Sequence, residues 1–221
     1  MADADNHSGK TRIVILISGR GSNLQAIIEQ MGSGDLPVDV ARVISNRPDA
    51  PGLALATASG LPTTTLAHRN FPDRPSFEQA LITEIDAQNP DLVVLAGFMR
   101  VLSPEFVRHY SNRMINIHPS LLPSFPGLNT HSRALESGAS RHGCTVHFVT
   151  PEVDAGPIII QASVPIEPGD NAETLAARVL NEEHRIFPLA IKWFAEHRLA
   201  IKNGRVFLDG CQHSDQGLIT D

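Results

Sequence analysis

In the segment Asn116-Ile117-His118-Pro119-Ser120, an amide and an imidazole stand two residues apart. On a β-strand that spacing turns both side chains to one face. The apolar run Met114 to Ile117 reads as a buried strand, and Pro119 forbids its continuation as a central strand. His118 therefore stands where the strand gives way to the loop Pro119 to Gly127, at the lip of a sheet. A proton donor beside a neutral hydrogen-bond donor suits a reaction that builds negative charge on a carbonyl oxygen. The same motif also serves as a structural histidine capping a strand end. The five residues alone leave both readings open.

A second candidate, Gly19-Arg20-Gly21-Ser22-Asn23, follows the apolar, β-branched run Arg12 to Ile17. Gly-x-Gly after a strand suggests a dinucleotide fingerprint, but Leu24 stands at the third glycine. Ser45-Asn46-Arg47 also replaces the acid that would bind a ribose at the end of the second strand. A turn opening a helix still offers free backbone N–H groups and a positive dipole end, which suits one phosphate monoester. Ser22 and Asn23 add side-chain donors, which favours phosphate over a bare tight turn.

Other groupings do less well. Ser120, His118 and Asp154 lack the Gly-x-Ser-x-Gly elbow of a nucleophilic triad. Cys144 opens a core strand and reads as an inert buried thiol. The ten histidines show no paired metal spacing, so no metal is expected. His147 alternates with apolar neighbours and reads as a core or supporting residue rather than a catalytic one. Glu182, Glu183 and His184 are either a solvated helix face or a binding edge near Pro188.

The elements that position these residues alternate. Strands are expected at Arg12 to Ile17, Val38 to Ile44, Thr63 to Leu66, Leu92 to Ala96 and Met114 to Ile117. Helices are expected between them, one opened by a Ser76–Gln79 capping box. Alternation of this kind implies an α/β, doubly wound, Rossmann-like sheet. Cys144 to Thr150 and Ile158 to Val164 have no helix between them and are expected to pair antiparallel, so the sheet is mixed and mostly parallel. Asp170 with Glu173 is expected to cap a long helix to about Glu196, kinked near Pro188. Asn203-Gly204 signals a two-residue hairpin. Ligands of such sheets bind beyond the carboxyl ends of the strands. The Gly19 loop, Gly97-Phe98-Met99-Arg100, His118 and Asp154 are all placed there by this reading.

With 221 residues, 42% of them hydrophobic, a full core needs no disulfides. Residues 1–10 and 211–221 read as loose tails around a single domain, 11–210. Net charge of −6 and a pI near 5.9 argue against a nucleic-acid surface. No signal peptide and no membrane-length apolar run is found, so a cytoplasmic location is expected.

The segments Ile17 to Gln25, Val94 to Arg100, Asn116 to Pro123 and Asp154-Ala155-Gly156-Pro157 resemble the folate-dependent phosphoribosylglycinamide formyltransferase family. The likeness runs from about Arg12 to Gly210. It implies the formyltransferase fold and transfer of a formyl group from 10-formyltetrahydrofolate, as co-substrate, to the amine of glycinamide ribonucleotide in purine (IMP) biosynthesis. The resemblance makes Asn116, His118 and Asp154 the catalytic trio. It gives Gly21, Ser22, Asn23 and Glu183 to the nucleotide. It gives the folate Arg74, the loop Met99, Arg100, Val101 and Leu102, the segment Thr150, Pro151, Glu152, Val153 and Asp154, and Asn116. Asn129 and Leu180 depart from the family pattern. The expected partners are the two small molecules, without nucleic acid or membrane, for a monomer or homodimer.

Such a reaction suits the residues. An amine is already a nucleophile, and Asn116 with a protonated His118 can meet the oxyanion it creates. A carboxylate at Asp154 would favour the imidazolium. The nearest rival, a formyltetrahydrofolate deformylase, is expected to carry an extra N-terminal regulatory domain, whereas about ten residues precede the first strand here. A methionyl-tRNA formyltransferase would need a basic appendage. A non-catalytic nucleotide-binding module would not need Asn116, His118 and Asp154 together.

Overall fold

The computed structural model describes residues 9–212 and 218–220. In chain order its elements are β1 (Thr11–Ile17), α1 (Ser22–Gly32), β2 (Val38–Ser45), α2 (Pro51–Ala58), β3 (Thr63–Thr65), α3 (Arg74–Asp86) and β4 (Leu92–Leu95). There follow α4 (Pro104–His109), β5 (Met114–His118), α5 (Thr130–Glu136), β6 (Arg141–Phe148), β7 (Ile158–Pro165) and α6 (Ala172–Ala195). The last four strands are β8 (Leu199–Lys202), β9 (Arg205–Leu208), β10 (Cys211–Gln212) and β11 (Leu218–Thr220). The main sheet has the order β11-β7-β6-β5-β4-β1-β2-β3. β6 is antiparallel to both its neighbours, and every other pairing in this sheet is parallel. The expected α/β, mostly parallel architecture is the one observed.

The two-residue period of β1 divides the core. Ile13, Ile15 and Ile17 join the apolar faces of α1 and α6, while Val14 and Leu16 join those of α3 and α4. Both faces of the strand are covered, which is why its sequence is a continuous apolar run. Helices α3 and α4 are also tied by a buried acid. Glu78 Oε1 accepts from Arg74 Nε at 2.8 Å and from the Ser103 N–H at 2.9 Å, and its other oxygen takes the Ser103 hydroxyl.

Some local expectations hold and others need correction. The cap of α3 is Asp73, which accepts from the Ser76 N–H at 2.8 Å. Arg74-Pro75 opens the helix, because proline is pre-shaped for the first turn. The cap of α6 is Asn171, in a capping box with Thr174, while Asp170 pairs with Arg178 at 2.7 Å. Pro188 is buried inside α6, where the sequence reading set it. Asn203 and Gly204 both have positive φ, at 50° and 74°, as the turn between β8 and β9 requires. The stretch 211–221, read as a loose tail, contains β10 on the edge of β9 and β11 on the edge of β7. Residues 1–8, most of the other expected tail, lie outside the described residues.

Candidate active site

Four side chains meet on the face of β5 and β6 that carries Asn116 and His118. Antiparallel register sets Asn116 opposite His147 and His118 opposite Thr145. The fourth side chain arrives from a loop. His118 Nδ1 lies 3.5 Å from Asp154 Oδ2, and His147 Nε2 lies 3.8 Å from Asp154 Oδ1. The Asn116 amide nitrogen is 3.3 Å from His147 Nε2. The predicted trio is thus brought together, with a histidine the sequence reading set aside.

The route of Asp154 differs from the expected one. Because β6 is antiparallel, its last residue, Phe148, faces Ile115, away from the carboxyl end of β5. The loop after β6 therefore starts at the far edge of the sheet and bends back to reach His118. Gly156 permits the bend: a Cβ there would overlap the Phe148 carbonyl oxygen. Phe148 N–H is bonded to the Pro157 carbonyl at 2.9 Å, closing the loop at its base.

The loop after β5 is fastened to the same groups. His118 Nε2 donates toward the Phe125 carbonyl at 3.1 Å, and the Gly127 N–H donates to Asp154 Oδ2 at 2.8 Å. Phe125 holds a positive φ of 54°, a costly conformation for a bulky side chain. Asn129, one of the two departures from the family pattern, precedes α5 with φ 56°, where asparagine is tolerated better than most residues. Beneath α5, His131 Nδ1 and His142 Nε2 are 3.2 Å apart, and burial pushes His142 down to about 4.

The turn after β1 is built as a binding loop. Gly21 has φ 80°, and a Cβ on it would stand 2.8 Å from the Gly52 backbone, so α2 packs directly against this turn. Gly21 precedes the first turn of α1 with no side chain capping it, so N–H groups of that turn stay available to an anion. Asn23 donates to Glu183 Oε2 at 2.7 Å, joining two residues expected at the nucleotide. The other Asn23 amide atom, Oδ1, is buried without a partner among the described residues.

Burial raises the Glu183 carboxyl above the usual carboxylate range, with the Asn23 hydrogen bond pulling it back down. Stability from a group shifted this way is fully present below its unfolded value, 4.5, and is lost as pH rises through the raised folded value. Glu183→Gln keeps an acceptor for Asn23 and removes the buried charge. The variant should melt higher than the parent at neutral pH, and the gap should close below the ordinary carboxylate value. A melting series over pH checks both, and a gap that does not change with pH contradicts them.

The expected folate segments supply apolar surface. Among the described residues, the exposed large hydrophobics are Met99, Val101, Leu128 and Val153. Three of the four belong to the segments assigned to folate; Leu128 lies outside them. Met99 N–H is held by Ser18 Oγ at 2.8 Å, which ties this loop to the end of β1. Leu102 is nearly buried and precedes the Ser103 cap held by Glu78. Arg100, Pro151 and Glu152 are exposed, and the Thr150 hydroxyl donates to the Glu152 carbonyl at 3.2 Å. Burial pushes the Cys144 thiol up, in keeping with an inert core cysteine.

The formyl transferase family model matches residues 11–191. A phosphoribosylglycinamide formyltransferase of Escherichia coli (strain K12) is 51% identical over 209 residues, covering 95% of this chain and 99% of its own. The chain belongs to the phosphoribosylglycinamide formyltransferase family. The member of that family from Coxiella burnetii has the same fold, with a TM-score of 0.92 at 51% identity over 96% of this chain and 100% of that one. A formyltetrahydrofolate deformylase from Burkholderia mallei ATCC 23344 is also similar, with a TM-score of 0.82 at 30% identity. The match covers 90% of this chain but 70% of the deformylase. Family membership makes the protein a formyltransferase, and the β5–β6 cluster is the candidate place for the transfer.

Proposed function

We propose that the protein moves the formyl group of 10-formyltetrahydrofolate to the amine of N1-(5-phosphoribosyl)glycinamide in purine biosynthesis, between Asn116, His118 and Asp154. The observation that carries this reading is the meeting of amide, imidazole and carboxylate at the end of β5, with His118 Nδ1 3.5 Å from Asp154. The neutral amine attacks the formyl carbon, and the carbonyl π electrons move onto oxygen. The Asn116 amide and the His118 N–H receive that oxyanion; one such donor is commonly worth about 3 kcal/mol. In the reaction the formyl oxygen replaces the Phe125 carbonyl, which faces His118 Nε2 at 3.1 Å. The carbon–nitrogen bond to the folate then breaks. His118 gives the leaving folate nitrogen its proton and takes back the one that the attacking nitrogen, positively charged after attack, must lose. Asp154, 3.5 Å from Nδ1, steadies the ring while it carries positive charge.

The nucleotide phosphate lies against Gly21, Ser22 and Asn23, and Glu183 meets the ribose or glycinamide end. Met99, Val101 and Val153 cover the apolar part of the folate, and Arg74 faces its charged end. Holding two substrates together supplies much of the remaining acceleration.

Formyl-labelled folate, supplied with and without glycinamide ribonucleotide, tests the reading. Label should appear on the glycinamide nitrogen and only when the nucleotide is present. Formate released at the same rate without nucleotide would show a deformylase instead. A second expectation concerns Asp154→Asn. Without its carboxylate the oxygen 3.5 Å from His118 Nδ1 carries no charge to balance the ring, so kcat should fall while both substrates still bind. Parental kcat in the variant would contradict the pairing role.

A further inference from the structure

Asn116 acts in the proposed reaction only if its amide presents N–H to the oxyanion. A carboxamide has a donor edge and an acceptor edge, and a half-turn about Cβ–Cγ exchanges them. Turned the wrong way, the residue would set its carbonyl oxygen against a developing negative charge. Something must select one of the two orientations.

The neighbour across the β5–β6 pair is built to do so. His147 is 2% exposed, so no substrate atom reaches it. Its Nδ1 lies 2.9 Å from the Phe148 carbonyl, and a carbonyl only accepts, so Nδ1 carries the proton. Nε2 of the neutral ring is then a bare acceptor, and it sits 3.3 Å from the Asn116 amide nitrogen. Only the NH2 edge satisfies that contact; the flipped amide would set oxygen against a lone pair. The titratable groups facing the ring are Asp154, 3.8 Å from Nε2, and His118. Burial holds His147 below the usual histidine range, against the pull of the Phe148 carbonyl and Asp154. A register shift between β6 and β7 falls at Val146/His147, the kind of irregularity that re-aims a strand side chain.

We propose that His147 is a positioning residue: as a neutral acceptor it locks the Asn116 carboxamide with its second N–H directed to the formyl oxygen. The inference rests on the catalytic reading of Asn116 given above. It turns a buried strand histidine into a determinant of turnover that touches neither substrate.

Two polar replacements separate the role from simple packing. In His147→Asn the shorter amide can still reach the Phe148 carbonyl but offers nothing at the Nε2 position. In His147→Gln the longer amide can place an oxygen there. Steady-state kinetics of the full chain should show kcat lower by ~10–10²-fold in the Asn variant, part of the ~10²–10³-fold worth of one oxyanion donor. KM for both substrates should stay within about twofold, as expected when an interaction belongs to the transition state alone. His147→Gln should recover most of the lost kcat. The double variant Asn116→Ala/His147→Asn should be no slower than Asn116→Ala, because the two residues then act as one unit. Equal kcat loss in the Gln and Asn variants, or multiplied losses in the double variant, would overturn the inference. Asn116→Ala at parental turnover would sink the catalytic reading itself. A slow Asn116→Ala beside a fast His147→Asn would remove only the positioning role.

Discussion

His118→Ala should bind both substrates as the parent does and turn over roughly 10²–10⁴-fold more slowly, the usual worth of one positioned proton donor. The residue is 6% exposed and is held at both nitrogens, by Asp154 on one side and the Phe125 carbonyl on the other. It therefore offers little surface for ground-state binding. The proposed binding contacts lie elsewhere, in the turn after β1, the loop after β4 and the segment before Asp154. Loss of kcat with KM unchanged is the pattern of an interaction made in the transition state. Titration of each substrate into the variant, beside steady-state kinetics, checks both halves. Turnover near the parental rate would refute the assignment.

Gly156→Ala is the second large effect. The added methyl would overlap the Phe148 carbonyl oxygen and crowd the Phe148 carbonyl carbon, both backbone atoms that cannot swing aside. The strand is also fixed there by the Phe148–Pro157 hydrogen bond of 2.9 Å. The loop must move instead, and Asp154, two residues earlier, moves with it. A displacement of about 1 Å at a reacting group can cost ~10² in rate. Turnover should fall by at least that factor, with a melting midpoint several degrees lower. The cause is steric, so Gly156→Ser should be no better than Gly156→Ala. Parental kinetics and melting in Gly156→Ala would mean that the bend of this loop does not place Asp154.

Much of this arrangement is readable from sequence because local chemistry dictates it. The run from Arg12 to Ile17 is apolar at every position but the first, and only a strand covered on both faces uses such a run. Asn203-Gly204 accepts the positive φ values a tight hairpin needs. Asn116 and His118 share a face by strand period alone. The less readable features depend on partners distant in sequence. Strand direction decides where the Asp154 loop starts, and nothing in Cys144 to Thr150 states that direction. His147 looks like any core residue until the register sets it opposite Asn116. The Phe125 carbonyl reaches His118 only through a positive φ that its sequence does not advertise. The cap of α6 moved by one residue because aspartate and asparagine both cap well, and Asp170 had Arg178 to meet. Glu78 reads as an ordinary helix acid, yet it is buried because Ser103 and Arg74 both point donors at it.

The most direct measurement is a crystal structure of the protein with glycinamide ribonucleotide and a formyl-folate analogue that cannot transfer its one-carbon group. The oxygen of that group should lie within hydrogen-bond distance of both the Asn116 amide nitrogen and His118 Nε2, with the Phe125 carbonyl displaced and Asp154 still beside Nδ1. If the one-carbon group is bound away from the end of β5, with His118 Nε2 still on Phe125, formyl transfer does not run through these three residues.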